Sequence, residues 1–93
     1  MRSRYSAYVL KNANYLLSTW HKSTRPKLLE FSEEMVWKKL EIIKVKKGAI
    51  KDEKGYVEFN AFYIENNESG VLHEISRFKK ITGHWFYVDG TFD

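Results

Sequence analysis

A chain of 93 residues with 43% hydrophobic and 16% aromatic residues, one Pro and five Gly has the size of a single folded unit, residues 1–93, and not the composition of a collagen, a linker or a disordered tail. The absence of Cys excludes disulfides, thiolate metal sites and Cys nucleophiles and suits a reducing, cytoplasmic setting; no apolar run is long enough to span a membrane, and no apolar stretch follows the basic first residues as in a signal peptide. The net charge of +4 divides into +7 over residues 1–47 and −3 over residues 48–93, a dipole able to orient an acidic partner, RNA included, or simply a solvated basic face.

Tyr5, Tyr8, Val9, Ala13, Leu16, Leu17 and Trp20 recur at helical spacing. Asn12-Ala13-Asn14 interrupts them with residues suited to caps and to left-handed backbone, which predicts two short helices, about 2–11 and 14–20, meeting at a bend. After Ser23, Thr24 is placed to cap a third short helix over 26–34, with Pro26 in its first turn and Leu28, Leu29 and Phe31 on its apolar side. From Met35 the period falls to two. Residues 37–47 read as a first strand, with Lys38, Lys39, Lys44, Lys46 and Lys47 suited to an edge that must avoid pairing. Lys47-Gly48 and residues 52–55 are turn material, and residues 56–65 form a second strand. Its inward face carries Val57, Phe59, Ala61 and Tyr63; Tyr56, Glu58, Asn60 and Phe62 face outward. A hairpin turn over 66–70 leads to a third strand, 71–81, and Thr82-Gly83-His84 to a fourth, 85–91. Helices first and a four-stranded antiparallel meander after them make an α+β layout.

Alternation along the third strand sets Leu72, Glu74, Ser76 and Phe78 inward and His73, Ile75 and Arg77 outward. A Glu on a partly apolar face must be hydrogen-bonded or protonated. Glu74 is therefore either a tie between helices and sheet, held by a Tyr or Trp donor of the helices or by Arg4, or a general base with a raised pKa. Arg77 has an acidic partner either on a neighbouring strand or in Glu58. His21, after Trp20, either lines a cavity mouth as a proton carrier or caps the preceding helix. The three His lie in separate elements without ligand spacing, so neither metal nor cofactor is expected. No phosphate-cradling Gly loop and no Gly-x-Ser-x-Gly elbow is present.

Four strings in order carry a resemblance that spans nearly the whole chain: Met1-Arg2-Ser3-Arg4-Tyr5-Ser6-Ala7-Tyr8-Val9, Tyr15-Leu16-Leu17-Ser18-Thr19-Trp20-His21, His73-Glu74-Ile75-Ser76-Arg77-Phe78 and Gly83-His84-Trp85-Phe86-Tyr87-Val88-Asp89-Gly90. The chain resembles the YchJ-like domain. The resemblance implies a fold like that of nuclear transport factor two (cystatin-like, SnoaL-like): a cone of two to three N-terminal helices on a bent four-stranded antiparallel sheet, enclosing a pocket. Relatives often carry flanking Cys-rich zinc motifs of the SEC-C type; this chain has no Cys, so zinc is not carried over. It begins where the first motif starts and stops just after Asp89-Gly90, as either a short member or an excised middle domain. On that fold the pocket draws Tyr5, Tyr8, Trp20 and His21 from the helices. Phe59, Tyr63, Glu74, Ser76 and Phe78 come from the sheet, with either Trp85 and Tyr87 or Phe86 and Val88 from the last strand. The leading expectation is a non-enzymatic binding or scaffold module with a cone-shaped pocket for a small ligand or protein partner. The alternatives are a SnoaL- or dehydratase-like enzyme using Glu74 or His21 as acid–base, and an RNA or ribosome accessory supported by the basic half alone. Tyr56, Phe62 and Ile75 on the outer face point to a homodimer.

Overall fold

Four long strands carry most of the chain, and two short helices lie across their concave side. The computed structural model describes residues 2–31, 34–47 and 51–92. In chain order the elements are α1 (Arg2–Val9), α2 (Ala13–Ser18), β1 (Met35–Lys47), β2 (Lys54–Glu65), β3 (Glu68–Ile81) and β4 (His84–Phe92), the strands forming one antiparallel sheet in the order β1-β2-β3-β4.

Both helices stop earlier than their apolar spacing suggests. The bend falls at Lys11, whose φ of 55° takes the left-handed conformation expected of an Asn. Asn12 instead caps α2, its side-chain oxygen accepting from the Tyr15 N–H at 3.1 Å. The third helix does not form over the described part of 26–34: residues 26–31 are irregular, and Ser32 and Glu33 lie outside the described residues. Thr24, the expected cap, donates its hydroxyl to the Val88 carbonyl at 2.5 Å and so belongs to a long-range tie to β4. Leu28 is 70% exposed, while Phe31 packs edge-on against Tyr8. The turn expected at Gly48 also falls outside the described residues.

The two described hairpins are tight. Glu65 pairs with Glu68 and Ile81 with His84, leaving two-residue turns whose central residues all have positive φ: Asn66 and Asn67 at 51° and 66°, Thr82 and Gly83 at 47° and 81°. That geometry matches the twist of antiparallel strands. The first turn is thus shorter than 66–70, and Glu68, Ser69 and Gly70 extend β3.

Register slips bend the sheet. In β1 they fall between Trp37 and Lys39 and between Ile42 and Lys44, and in β4 opposite Arg77 and Phe78, so that Lys38, Ile43 and Val88 are extra residues in their ladders. Trp37, Leu40, Ile42 and Val45 therefore share one face at uneven spacing, opposite Tyr63, Ala61, Phe59 and Val57. Phe78 pairs with Tyr87 and Lys80 with Trp85, which places Trp85 and Tyr87, not Phe86 and Val88, on that inner face. Ala7, Leu16, Phe59, Ala61 and Phe78 form the buried apolar core, joined by Arg4, Glu74 and Ser76.

The segment after α2 lies along the free side of β4. The Tyr87 N–H donates to the Thr19 carbonyl at 2.8 Å and the His21 N–H to the Tyr87 carbonyl at 2.7 Å, a short parallel bridge centred on Trp20 and Tyr87. Gly90, paired with Ser76, faces the Glu74 carboxylate; a Cβ there would stand 2.6 Å from the Glu74 Cδ. Gly90→Ala is expected to lower stability by about 1–3 kcal/mol through overpacking, read from the midpoint of urea unfolding.

Candidate functional site

α1 turns Arg4 and Ala7 inward. Arg4 is only 5% exposed. Its Nη1 donates to the Leu16 carbonyl at 3.0 Å and to Thr19 Oγ1 at 2.6 Å. Its guanidinium carbon lies 4.7 Å from the Tyr87 ring centroid and 5.2 Å from that of Trp20, within cation–π range. No carboxylate pairs with it among the described residues. Burial pushes its pKa below the ordinary Arg value, and the neighbouring Tyr8 and Tyr87 partly oppose that shift.

Glu74 is 6% exposed and lies on the inner face, as its alternation implies. Its Oε2 accepts from Ser76 Oγ at 2.5 Å and from the Tyr87 hydroxyl at 3.1 Å. The expected donors from the helices are replaced by two from the sheet itself. Tyr87 thus meets the cation with its ring and the carboxylate with its hydroxyl. Burial foremost, then the negative charge of Glu74, drive the Tyr87 phenol far above its ordinary pKa. Burial raises Tyr8 as well, less strongly because Arg4 counteracts it. Burial also raises Tyr5.

The expected pocket residues divide into two groups. Trp20, Glu74, Ser76, Phe78 and Tyr87 gather near Arg4, with Tyr87 edge-on to Trp20 and Phe78 at centroid distances of 5.0 and 5.8 Å. Tyr5, Tyr8 and Tyr63 surround Trp37 at 5.6–6.4 Å. Phe59 is buried against neither opening. His21 is not the cap of α2, which ends at Ser18 with Thr19 as cap; its Nδ1 accepts from the Ser23 N–H at 3.1 Å, and it lines two small openings of about 230 and 260 Å³.

A cavity of about 360 Å³ opens between the layers, beside this cluster. Ser3, Arg4, Tyr15 and Thr19 form its helical wall, and Val45, Gly55, Tyr56, Val57, Phe78 and Trp85 its sheet wall. Of the residues expected in the pocket, only Phe78 and Trp85 line it. Arg4, Ser3, Tyr15 and Thr19 were not legible as site residues, because a basic, hydroxyl-rich first turn reads as a solvated one. The one available sign was Arg4 a single turn before Tyr8 and three residues before the small Ala7, on the face the apolar template buries.

The outer face carries paired polar side chains. His73 Nε2 and Glu58 Oε2 stand 2.6 Å apart, and Arg77 donates twice to Asp89, at 2.9 and 2.8 Å. Arg77 thus finds its partner on β4, and Glu58 belongs to His73. Asp89 hydrogen bonding raises the Arg77 pKa. Tyr56 and Phe62 are half-buried on this face and Ile75 is 39% exposed.

The family profile described as YchJ, middle NTF2-like domain matches residues 1–90. The chain belongs to that family. UPF0225 protein SCO1677 of Streptomyces coelicolor is 46% identical over 92 residues, which are 99% of this chain and 71% of that protein. UPF0225 protein VP1145 of Vibrio parahaemolyticus is 43% identical over 96 residues, covering 99% of this chain and 57% of that one. The solution structure of RPA3114, a SEC-C motif containing protein from Rhodopseudomonas palustris, superposes with a TM-score of 0.85 at 31% identity, covering 98% of this chain and 73% of its own. This YchJ middle domain thus spans between 57% and 71% of the curated relatives named here. Its helices on a bent antiparallel sheet are the NTF2-like arrangement that the family description states.

No helix among the described residues is long and apolar enough to cross a membrane. No group of three or more His, Asp or Glu gathers there in a way that could hold a metal ion. Treatment with EDTA is accordingly expected to leave the melting temperature unchanged; a fall of several degrees in a thermal scan contradicts this. The buried phenols set an alkaline limit. Tyr8 and Tyr87 hold their protons more tightly folded than unfolded, so their contribution is full below the unfolded Tyr pKa of about 10 and is lost as pH rises beyond it. The melting temperature is expected to decline above about pH 10, and Tyr87→Phe to make that decline shallower.

Proposed function

We propose that this domain is a non-enzymatic binding module that takes a small ligand at the open end of its cone. The observation that carries this reading is the cavity of about 360 Å³ walled by both layers, within the size range of small-molecule sites. The two acid–base candidates stand away from it. Glu74 is sealed beneath the cluster with one oxygen engaged by two hydroxyls, and His21 lines two smaller openings apart from that cavity. A general acid or base must reach its substrate directly or through one water, so the arrangement favours binding over a dehydratase-like reaction.

The test is a fragment screen by ¹H–¹⁵N chemical-shift mapping on the domain and on a Glu74→Gln variant. Fragments are expected to move the signals of Thr19, Val57 and Trp85. Glu74→Gln is expected to cost about 1–3 kcal/mol of stability while leaving fragment affinity within about twofold. A screen in which no fragment moves those signals overturns the reading. So does a variant of unchanged stability that no longer binds.

A further inference from the structure

We propose that the ligand of the cone mouth is a small organic monocarboxylate with a flat apolar body, its carboxylate held by Arg4 and Ser3 and its body laid on the sheet wall. This inference rests on the binding-module reading and names the chemical class that the cavity accepts.

The cavity is two-sided. Its sheet wall is Val45, Gly55, Tyr56, Val57, Phe78 and Trp85, mostly apolar, and its helical wall presents a guanidinium among hydroxyls. Arg4 is the one charged side chain in that lining among the described residues. A cation at a desolvated site attracts an anion far more strongly than one in water does. Nη1 is committed to Leu16 and Thr19. Of a fork with five N–H donors, the remainder has Tyr8 as a further hydrogen-bonding side chain among the described residues. The internal carboxylate does not reach Arg4, because Glu74 turns to Ser76 and Tyr87. Ser3 adds a directed donor: its Oγ accepts from the Tyr15 hydroxyl at 2.7 Å, which leaves its own O–H to be given away.

One cation matches a monoanion. A doubly charged phosphate would meet a single countercharge and would set oxygens against Val45, Val57 and Phe78. A carboxylate on a planar hydrocarbon satisfies both walls at once. Hydrogen bonds with an ionised partner are roughly twice as strong as neutral ones, so the charge, and not the shape alone, determines which molecules stay.

The experiment titrates the whole domain with 3-phenylpropionate, with its neutral isostere 3-phenylpropanamide, and with inorganic phosphate, following the signals of Thr19, Val57 and the Trp85 indole. The carboxylate is expected to bind at least about tenfold more tightly than the amide, and phosphate to leave the three signals in place. Val45 stands at the rim and is 60% exposed, so Val45→Glu places a negative charge there without touching the core. Both ligands lose the Val45 contact, but that variant is expected to weaken the carboxylate at least about fivefold more than the amide. An amide that binds as well as the acid, a phosphate that moves the same signals, or a Val45→Glu effect equal on both ligands overturns the carboxylate assignment and leaves a binding site of another class. If no compound moves the three signals, the binding-module reading falls, and the carboxylate assignment with it.

Discussion

A guanidinium taken out of water, with no carboxylate of the described residues beside it, is the constraint on which the rest of the molecule turns. The loss of hydration costs several kcal/mol, and neutral groups must offset it. Here a helix carbonyl, a threonine hydroxyl and two aromatic faces do so. Those groups come from α2, from the segment after it and from β4, so the Arg4 side chain is well solvated by protein only when all three are in register. Tyr87 then transmits the constraint outward. Its ring belongs to Arg4, its hydroxyl to Glu74, and its backbone to Thr19 and His21. Glu74 in turn needs the space that Gly90 leaves.

The curvature of the sheet gives this cluster its place. Extra residues at Lys38 and Ile43 bend β1 twice, and the one at Val88 bends β4 where it meets the N-terminal segment. A flat sheet could not hold Val45 and Trp85 against the same space beneath α1 and α2. The interior is filled by Phe59, Ala61 and Leu16, so the concavity closes at depth and remains open at the rim. The outer face carries paired polar side chains, His73 with Glu58 and Arg77 with Asp89.

The strands and their facing were legible because a period of two survives in residues 56–63 and 72–78. The tight hairpins were partly hidden: Glu68, Ser69 and Gly70 have the chemistry of a turn but continue a ladder, where Gly70 makes room for the Tyr63 ring. The third helix failed for a tertiary reason, since a cap signal at Thr24 and a Pro two residues later are local cues, whereas the Thr24 hydroxyl is taken by Val88. Arg4 was hidden for the converse reason. Charge in a sequence reads as solvent exposure, and only the meeting of two distant aromatic side chains makes its burial favourable. The bulges leave no mark beyond an alternation that loosens between Trp37 and Val45.

The bridge between the first and last parts of the chain has a temporal side. Thr24 and Val88 are bonded across 64 positions of sequence, so the helices leave the ribosome well before the strand that completes their seat. At typical elongation speeds the interval is about 3–13 s, long against the microsecond scale on which hairpins form. The central hairpin of β2 and β3 can pair as it emerges, whereas the seat of Arg4 is complete only once Tyr87 has followed. Until then the aromatic floor and the free side of β4's neighbour stand open, which makes the nascent domain, rather than the finished one, the form most in need of a chaperone.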